Sequence, residues 1–224
     1  LTSRFIMSHP GIEEIVNADH ACSWEAGRGH VHIVCDGIGH SKDTQSAVQS
    51  FCKQLQRANW DGTCSAEQML KNNIETALQS VPSDYQGKCF CVAAVLAIDN
   101  EIALAHCGDC RVGCLTDGGV KWFTKDDSPL FQFYLDERVT KEQYLQSRNL
   151  VTCKLKVGHS CQGMIKTKTM PKPEHGELLL CSDGFWADAE DLLKGTIKEV
   201  QGSLNAFTSD LAKTAEDNFS LILV

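Results

Sequence analysis

The sequence predicts an α+β protein with strands and helices in layers, not a doubly wound parallel sheet. Two observations carry this. Apolar runs of strand length recur along the chain, and strands and helical segments arrive in blocks instead of alternating one for one. In the middle of the chain Ile98 and Ile102 bracket Asp99-Asn100-Glu101, and Asp117-Gly118-Gly119 separates the next two runs. Both read as hairpin connections, so this stretch is an antiparallel meander.

The expected strands lie at residues 4–9, 30–35, 92–98, 102–107, 112–116, 120–123, 177–181 and 219–224. A helix over 41–58 places Ala47, Val48, Phe51 and Leu55 on one face, and a second over 66–81 does the same with Leu70, Ile74, Ala77, Leu78 and Val81. Later helices are expected at 188–194 and 203–214. Residues 126–149 are polar and irregular, read as a flap-like surface excursion with a short helix at 141–146. No internal repeat or linker interrupts the chain, and residues 1–224 are expected to form one domain with a sizeable core.

Charge and cysteine content narrow the function classes. Lys and Arg total 21 against 29 Asp and Glu, a formal net charge of −8. That balance argues against a nucleic-acid backbone or an anionic membrane surface as the main partner. The longest apolar run, residues 91–98, is far short of the roughly 20 needed for a membrane span. The first residues lack a signal-peptide pattern, so a cytoplasmic address is expected. The 12 cysteines fall below the roughly 8–10% that marks a disulfide scaffold, and most sit in apolar strand-like runs. They are read as thiols.

Three aspartates share one local grammar. Asp36 follows the run at 30–35 and precedes Gly37-Ile38-Gly39-His40; Asp183 follows the run at 177–181 and precedes Gly184; Asp217 stands with Asn218 before the last strand. A carboxylate at a strand end followed by a sharp turn faces a cleft. Gathered in one cleft, such carboxylates repel by about 4 kcal/mol per close pair at an effective dielectric of 20. Divalent cations remove that cost, and an all-oxygen donor set suits Mg²⁺ or Mn²⁺ over Zn²⁺. Asp19 and Asp109 are further candidates.

In order, the chain carries Asn17-Ala18-Asp19, Val34-Cys35-Asp36-Gly37-Ile38-Gly39-His40, Gly108-Asp109-Cys110-Arg111, Leu180-Cys181-Ser182-Asp183-Gly184-Phe185-Trp186 and Glu216-Asp217-Asn218-Phe219-Ser220. By these motifs it resembles the metal-dependent protein serine/threonine phosphatases of type 2C, in their bacterial form, from about Arg4 to Val224. The resemblance implies a four-layer α/β/β/α sandwich, two mainly antiparallel sheets flanked by helices. It implies two divalent cations, Mn²⁺ or Mg²⁺, bridged by Asp36, with the Gly37 carbonyl completing one site and Asp183 and Asp217 holding the other ion. Asp19 would orient metal-bound water, and hydroxide would attack a phosphoserine or phosphothreonine ester in line, without a phosphoenzyme.

Several positions depart from the family pattern. Glu14 stands where the family often has a phosphate-gripping Arg, so Arg4 or Arg28 is the expected substitute. Ala18 replaces a common Glu, and Ile38 stands where some members keep a His. Ala187 occupies the position of a third-ion Asp, leaving Asp109 and Asp188 as the candidates for a third site. The implied partners are a phosphoprotein substrate and a cognate Ser/Thr kinase or its targets, with the protein a monomer that binds neither nucleic acid nor membrane. Glu14, Ala18 and Ala187 motivate a second reading, a pseudophosphatase serving as a signalling module. A third is a zinc or thiol module built on the cysteines.

Other conspicuous residues have plainer readings. Cys107 and Cys110 have C-x-x-C spacing but lie in a strand-and-turn context that does not open a helix. His30 and His32 are read as surface or core histidines, and Trp122, Phe123, Phe131 and Phe133 as core filling.

Overall fold

The computed structural model describes residues 2–27, 29–147 and 150–224. One sheet has five strands in the order β1-β11-β10-β6-β7, with β1 at Phe5–His9, β6 at Arg111–Thr116, β7 at Gly119–Trp122, β10 at Glu177–Cys181 and β11 at Phe219–Leu223. The other runs β2-β3-β4-β5-β9, with β2 at His20–Ala26, β3 at Gly29–Ile38, β4 at Cys89–Ile98, β5 at Glu101–Cys107 and β9 at Lys166–Pro171. A short β8, Leu155–Lys156, pairs with the start of β4. The strand pairs are antiparallel throughout.

Three apolar clusters stack these layers. Helices α1 (Lys42–Gln56) and α2 (Ala66–Gln79) bury Phe51, Leu55, Leu70 and Ile74 against Val31, Ile33, Phe90 and Val92 of the second sheet. Val34, Val95, Leu104, Val112, Leu180 and Ile222 meet between the two sheets. On the outer face of the first sheet, α5 (Asp183–Trp186) and α6 (Ile197–Leu211) bury Phe185, Val200 and Leu204 against Leu179 and Leu221. The result is the expected α/β/β/α sandwich. The unbroken apolar run of β4 follows from this stacking. Phe90, Val92, Ala94 and Leu96 face the helices, while Cys91, Ala93 and Val95 face the other sheet.

Helix ends follow local chemistry. Ser41 and Ser65 cap α1 and α2 by accepting the N–H of Thr44 and Gln68. Thr196 and Glu199 form a capping box that starts α6 at Ile197, six residues before the helix expected at 203. Gly202 obscured that periodicity in the sequence. The helix expected at 188–194 is a 3₁₀ turn over Leu192–Lys194, because the chain has already turned helical at Asp183. The excursion holds α3 (Phe131–Leu135) and α4 (Lys141–Gln146), the second where it was expected. Trp122 and Phe131 are half-buried against the outer cluster, whereas Phe133 is exposed.

Strands β2, β8 and β9 were not expected from the sequence. β2 is half-buried along most of its length and shows no clean alternation. β9 reads Lys-Thr-Lys-Thr-Met-Pro, a polar edge strand of the kind that discourages further pairing.

Candidate active site

Strand β3 does not stop at Cys35. It runs on through Asp36, paired with Cys91, and Gly37, paired with Phe90, to Ile38. The Asp36 carboxylate is therefore held by ladder pairing, not by a turn. Gly37 is required there: a Cβ would lie 2.6 Å from the Ala18 carbonyl oxygen and 2.8 Å from Thr44 Cγ2. Asp183 opens α5 directly after β10, and a Cβ on Gly184 would sit 2.1 Å from the Asn218 carbonyl oxygen. That close approach brings the loop before β11, with Asp217, against the end of β10.

Asn218 then ties this loop to the N-terminal segment. Its Nδ2 donates to the Pro10 carbonyl and its Oδ1 accepts from the Ala18 N–H, both at 2.8 Å. The fastening also places Asp19, whose N–H donates to Asn17 Oδ1 at 3.1 Å. Asp109 sits in the β5–β6 turn after Gly108, whose φ of +102° disfavours side chains, and its carbonyl accepts from Trp186 Nε1 at 3.0 Å.

These segments converge on one cleft of about 250 Å³ that includes Asp36, Gly37, His40, Asp109, Asp183 and Asp217 in its lining. Asp19 lies behind it, 5% exposed, and its Oδ2 accepts from Ser182 Oγ at 2.7 Å. No Lys or Arg among the described residues lines the cleft. Burial, reinforced by Asp19, Asp183, Asp109 and Asp217, holds the Asp36 carboxyl well above its ordinary range. Burial, then Asp183 and Asp126, does the same to Asp109. The Asp19 carboxyl is pushed up to about 7, chiefly by burial, although the Ser182 hydrogen bond opposes the shift.

The donor set fits divalent cations on two grounds. Its described lining offers four carboxylates, with His40 and Cys91 the only nitrogen and sulfur side-chain donors beside them, and hard cations prefer such oxygen-rich sites. Asp109 Oδ1 is also buried with no hydrogen-bond partner among the described residues, a costly state that a cation would relieve.

The remaining candidates fall elsewhere. Arg4 is not brought to the cluster. The β1–β11 pairing puts it at the opposite end of β10 from Asp183, where its Nη1 lies 3.2 Å from Glu177 Oε1. Arg28 lies outside the described residues. Asp188 is exposed and does not line the cleft. Glu14 is 3.4 Å from His40 Nε2 at the cleft's rim. Cys107 faces the helical layer and Cys110 the space between the sheets, so the C-x-x-C spacing brings no pair together. All 12 cysteines are free. His32 is buried, its Nδ1 2.7 Å from Ser23 Oγ. Ser182 and Asn218 were visible in the motifs, but the contacts that make them fasteners reach across 163 and 200 residues.

No protein-family model matches the chain. The serine/threonine protein phosphatase PstP of Mycobacterium tuberculosis is 32% identical over 117 residues, 51% of this chain. The match spans only 22% of that relative's length. The serine/threonine phosphatase stp of Listeria innocua is 24% identical over 213 residues, covering 86% of this chain and 82% of the relative. The crystal structure of PstP superposes with a TM-score of 0.78 at 23% identity, covering 98% of this chain and 96% of that one. The fold is that of the bacterial type 2C phosphatases. PstP's catalytic domain in complex with two manganese ions aligns with a TM-score of 0.76 at 21% identity, covering 98% of this chain and 95% of that one. Among the described residues, no helix of this type 2C fold is long and apolar enough to cross a membrane.

Proposed function

We propose that this chain is a metal-dependent protein phosphatase that hydrolyses phosphoserine and phosphothreonine esters, with residues 1–224 working as one catalytic unit. The observation that carries the reading is the convergence of Asp36, Gly37, Asp109, Asp183 and Asp217 on one cleft. Asp36 would bridge two Mn²⁺ or Mg²⁺ ions, the Gly37 carbonyl would complete one site, and Asp183 and Asp217 would hold the other ion. Asp109 is the protein's donor for any third ion. When bound, the ions supply an activated water and neutralise charge on the phosphoryl oxygens, so no phosphoenzyme is required.

The chain's own residues set the conditions for that chemistry. Asp19, whose Oδ2 accepts from Ser182 Oγ, would orient a water at the back of the cleft through a hydrogen bond. Its carboxyl, at about 7, titrates near neutral pH. No arginine among the described residues lines the cleft. Phosphoprotein targets of a Ser/Thr kinase are the substrate class this implies.

The test is phosphate release from p-nitrophenyl phosphate and a phosphothreonine peptide with Mn²⁺, Mg²⁺ or EDTA, beside Asp36→Ala. Metal-dependent release lost in the variant is expected. A folded protein inert toward both substrates with every metal would overturn the proposal.

A further inference from the structure

On the far face of β3 from the carboxylate cleft, soft donors gather where β2, β3 and α1 meet. Successive side chains of a strand point to opposite faces. Cys35 accordingly belongs to the core under α1, while its neighbour Asp36 lines the cleft. In β2, His20 and Cys22 are two residues apart and share a face, and His20 pairs in register with Cys35. Cys52 reaches this point from α1.

The donor atoms of His20, Cys22 and Cys52 all lie within 4.8 Å of one another. Cys35 Sγ is 3.8 Å from Cys52 Sγ. A tetrahedral zinc centre with metal–sulfur bonds of about 2.3 Å places its sulfurs about 3.8 Å apart. One imidazole and two thiols within mutual reach form a soft donor set that prefers zinc to the hard ions suited to the cleft, and Cys35, beside Cys52 but outside that trio, would close the tetrahedron by a turn of its side chain. Cys35 and Cys52 are buried, whereas His20 and Cys22 are half-buried, which leaves an ion a route in from solvent.

We propose that His20, Cys22, Cys35 and Cys52 form a structural zinc site. The thiols bind as thiolates and release their protons to solvent, and the ion ties the β2–β3 pair to α1. Because His20 follows Asp19 and Cys35 precedes Asp36, the same ion steadies the two strands that present these carboxylates. A second soft group, Cys107, Asp127 and Cys153, is less suited to a metal. Asp127 Oδ2 already accepts the Gly108 N–H at 3.0 Å and Oδ1 is paired with Lys166.

The test uses cobalt(II) as a probe in the full chain, because thiolate ligation gives a near-ultraviolet charge-transfer band that carboxylates do not, and Asp36→Ala checks that the band does not come from Cys91 at the cleft. Wild type and Asp36→Ala should both show the band, displaced by one equivalent of zinc. Cys153→Ser should keep it. Cys52→Ser and His20→Ala, the latter a half-buried position less prone to misfold, should each need at least about tenfold more cobalt to reach half of the band, with folding checked by circular dichroism. A folded wild type with no band, an unchanged cobalt affinity in Cys52→Ser or His20→Ala, or a band that vanishes in Cys153→Ser would overturn the proposal. The readout is independent of turnover, so the site can stand or fall apart from the phosphatase reading.

Discussion

Buried carboxylates in two neighbouring regions of the molecule meet opposite fates. Asp126, its side chain fully buried, is gripped by Arg111 through two bonds, Nε to Oδ1 at 2.9 Å and Nη2 to Oδ2 at 2.7 Å, and also accepts from the Tyr144 hydroxyl. The Arg111 guanidinium lies 3.6 Å over the Trp186 ring, completing an aromatic enclosure. In the neighbouring cleft Asp36 and Asp109 face burial and other carboxylates, and the described lining contains no Lys or Arg. A buried carboxylate with its own cation is a structural joint. Carboxylates gathered without one create a demand that an external cation meets, and this separates the site from the scaffold.

The sharpest break in that contrast is Asp36→Ala. It should reduce metal-dependent phosphate release by at least about 100-fold, read as initial rates at saturating Mn²⁺. Its conservative partner Asp36→Asn should make the metal-free chain more stable, read as a raised urea midpoint, because burial and the neighbouring carboxylates oppose a charge there. Arg111→Ala should do the reverse. Stranding Asp126 costs about 3–5 kcal/mol, so its melting temperature should fall whether or not metal is present.

A pH series sharpens the comparison further. Asp19 keeps its proton to about pH 7 in the fold, against an ordinary value of 3.8. Between those values the folded chain binds more protons than the unfolded chain, so metal-free stability should fall as pH rises through that window and level off above it. Asp19→Asn should flatten the slope, as read by denaturant melts at successive pH values. The smallest effect belongs to Ser182→Ala, which removes the Asp19 contact and the acceptor for the Ser220 N–H. It should cost about 1 kcal/mol of stability and move the Asp19 titration upward, visible in denaturant melts of the metal-free chain at successive pH values.

The parts of the fold legible in the sequence were those whose burial is uniform. β4 is covered on both faces and reads as one apolar run, and α1 and α2 show one clean stripe each. β2 and β9 escaped because an edge strand needs neither alternation nor continuous apolarity. At the site, Asp36, Asp183 and Asp217 were legible because tight backbone approaches demand a glycine beside two of them. Arg4 was misplaced because its position depends on the β1–β11 register, a pairing between the two ends of the chain. The Arg111–Asp126 joint, only 15 residues across, was hidden because it depends on the β6–β7 register, and the His20–Cys52 cluster because it forms only when β2 packs against α1.

The measurement closest to the central claim is calorimetric titration of Mn²⁺ into the metal-free protein at neutral pH, beside Asp36→Ala. The account predicts two ions bound per chain, with proton release as the raised carboxyls ionise, and loss of that binding in the variant. A folded wild type that takes up no Mn²⁺, or binding that survives in Asp36→Ala, would contradict it.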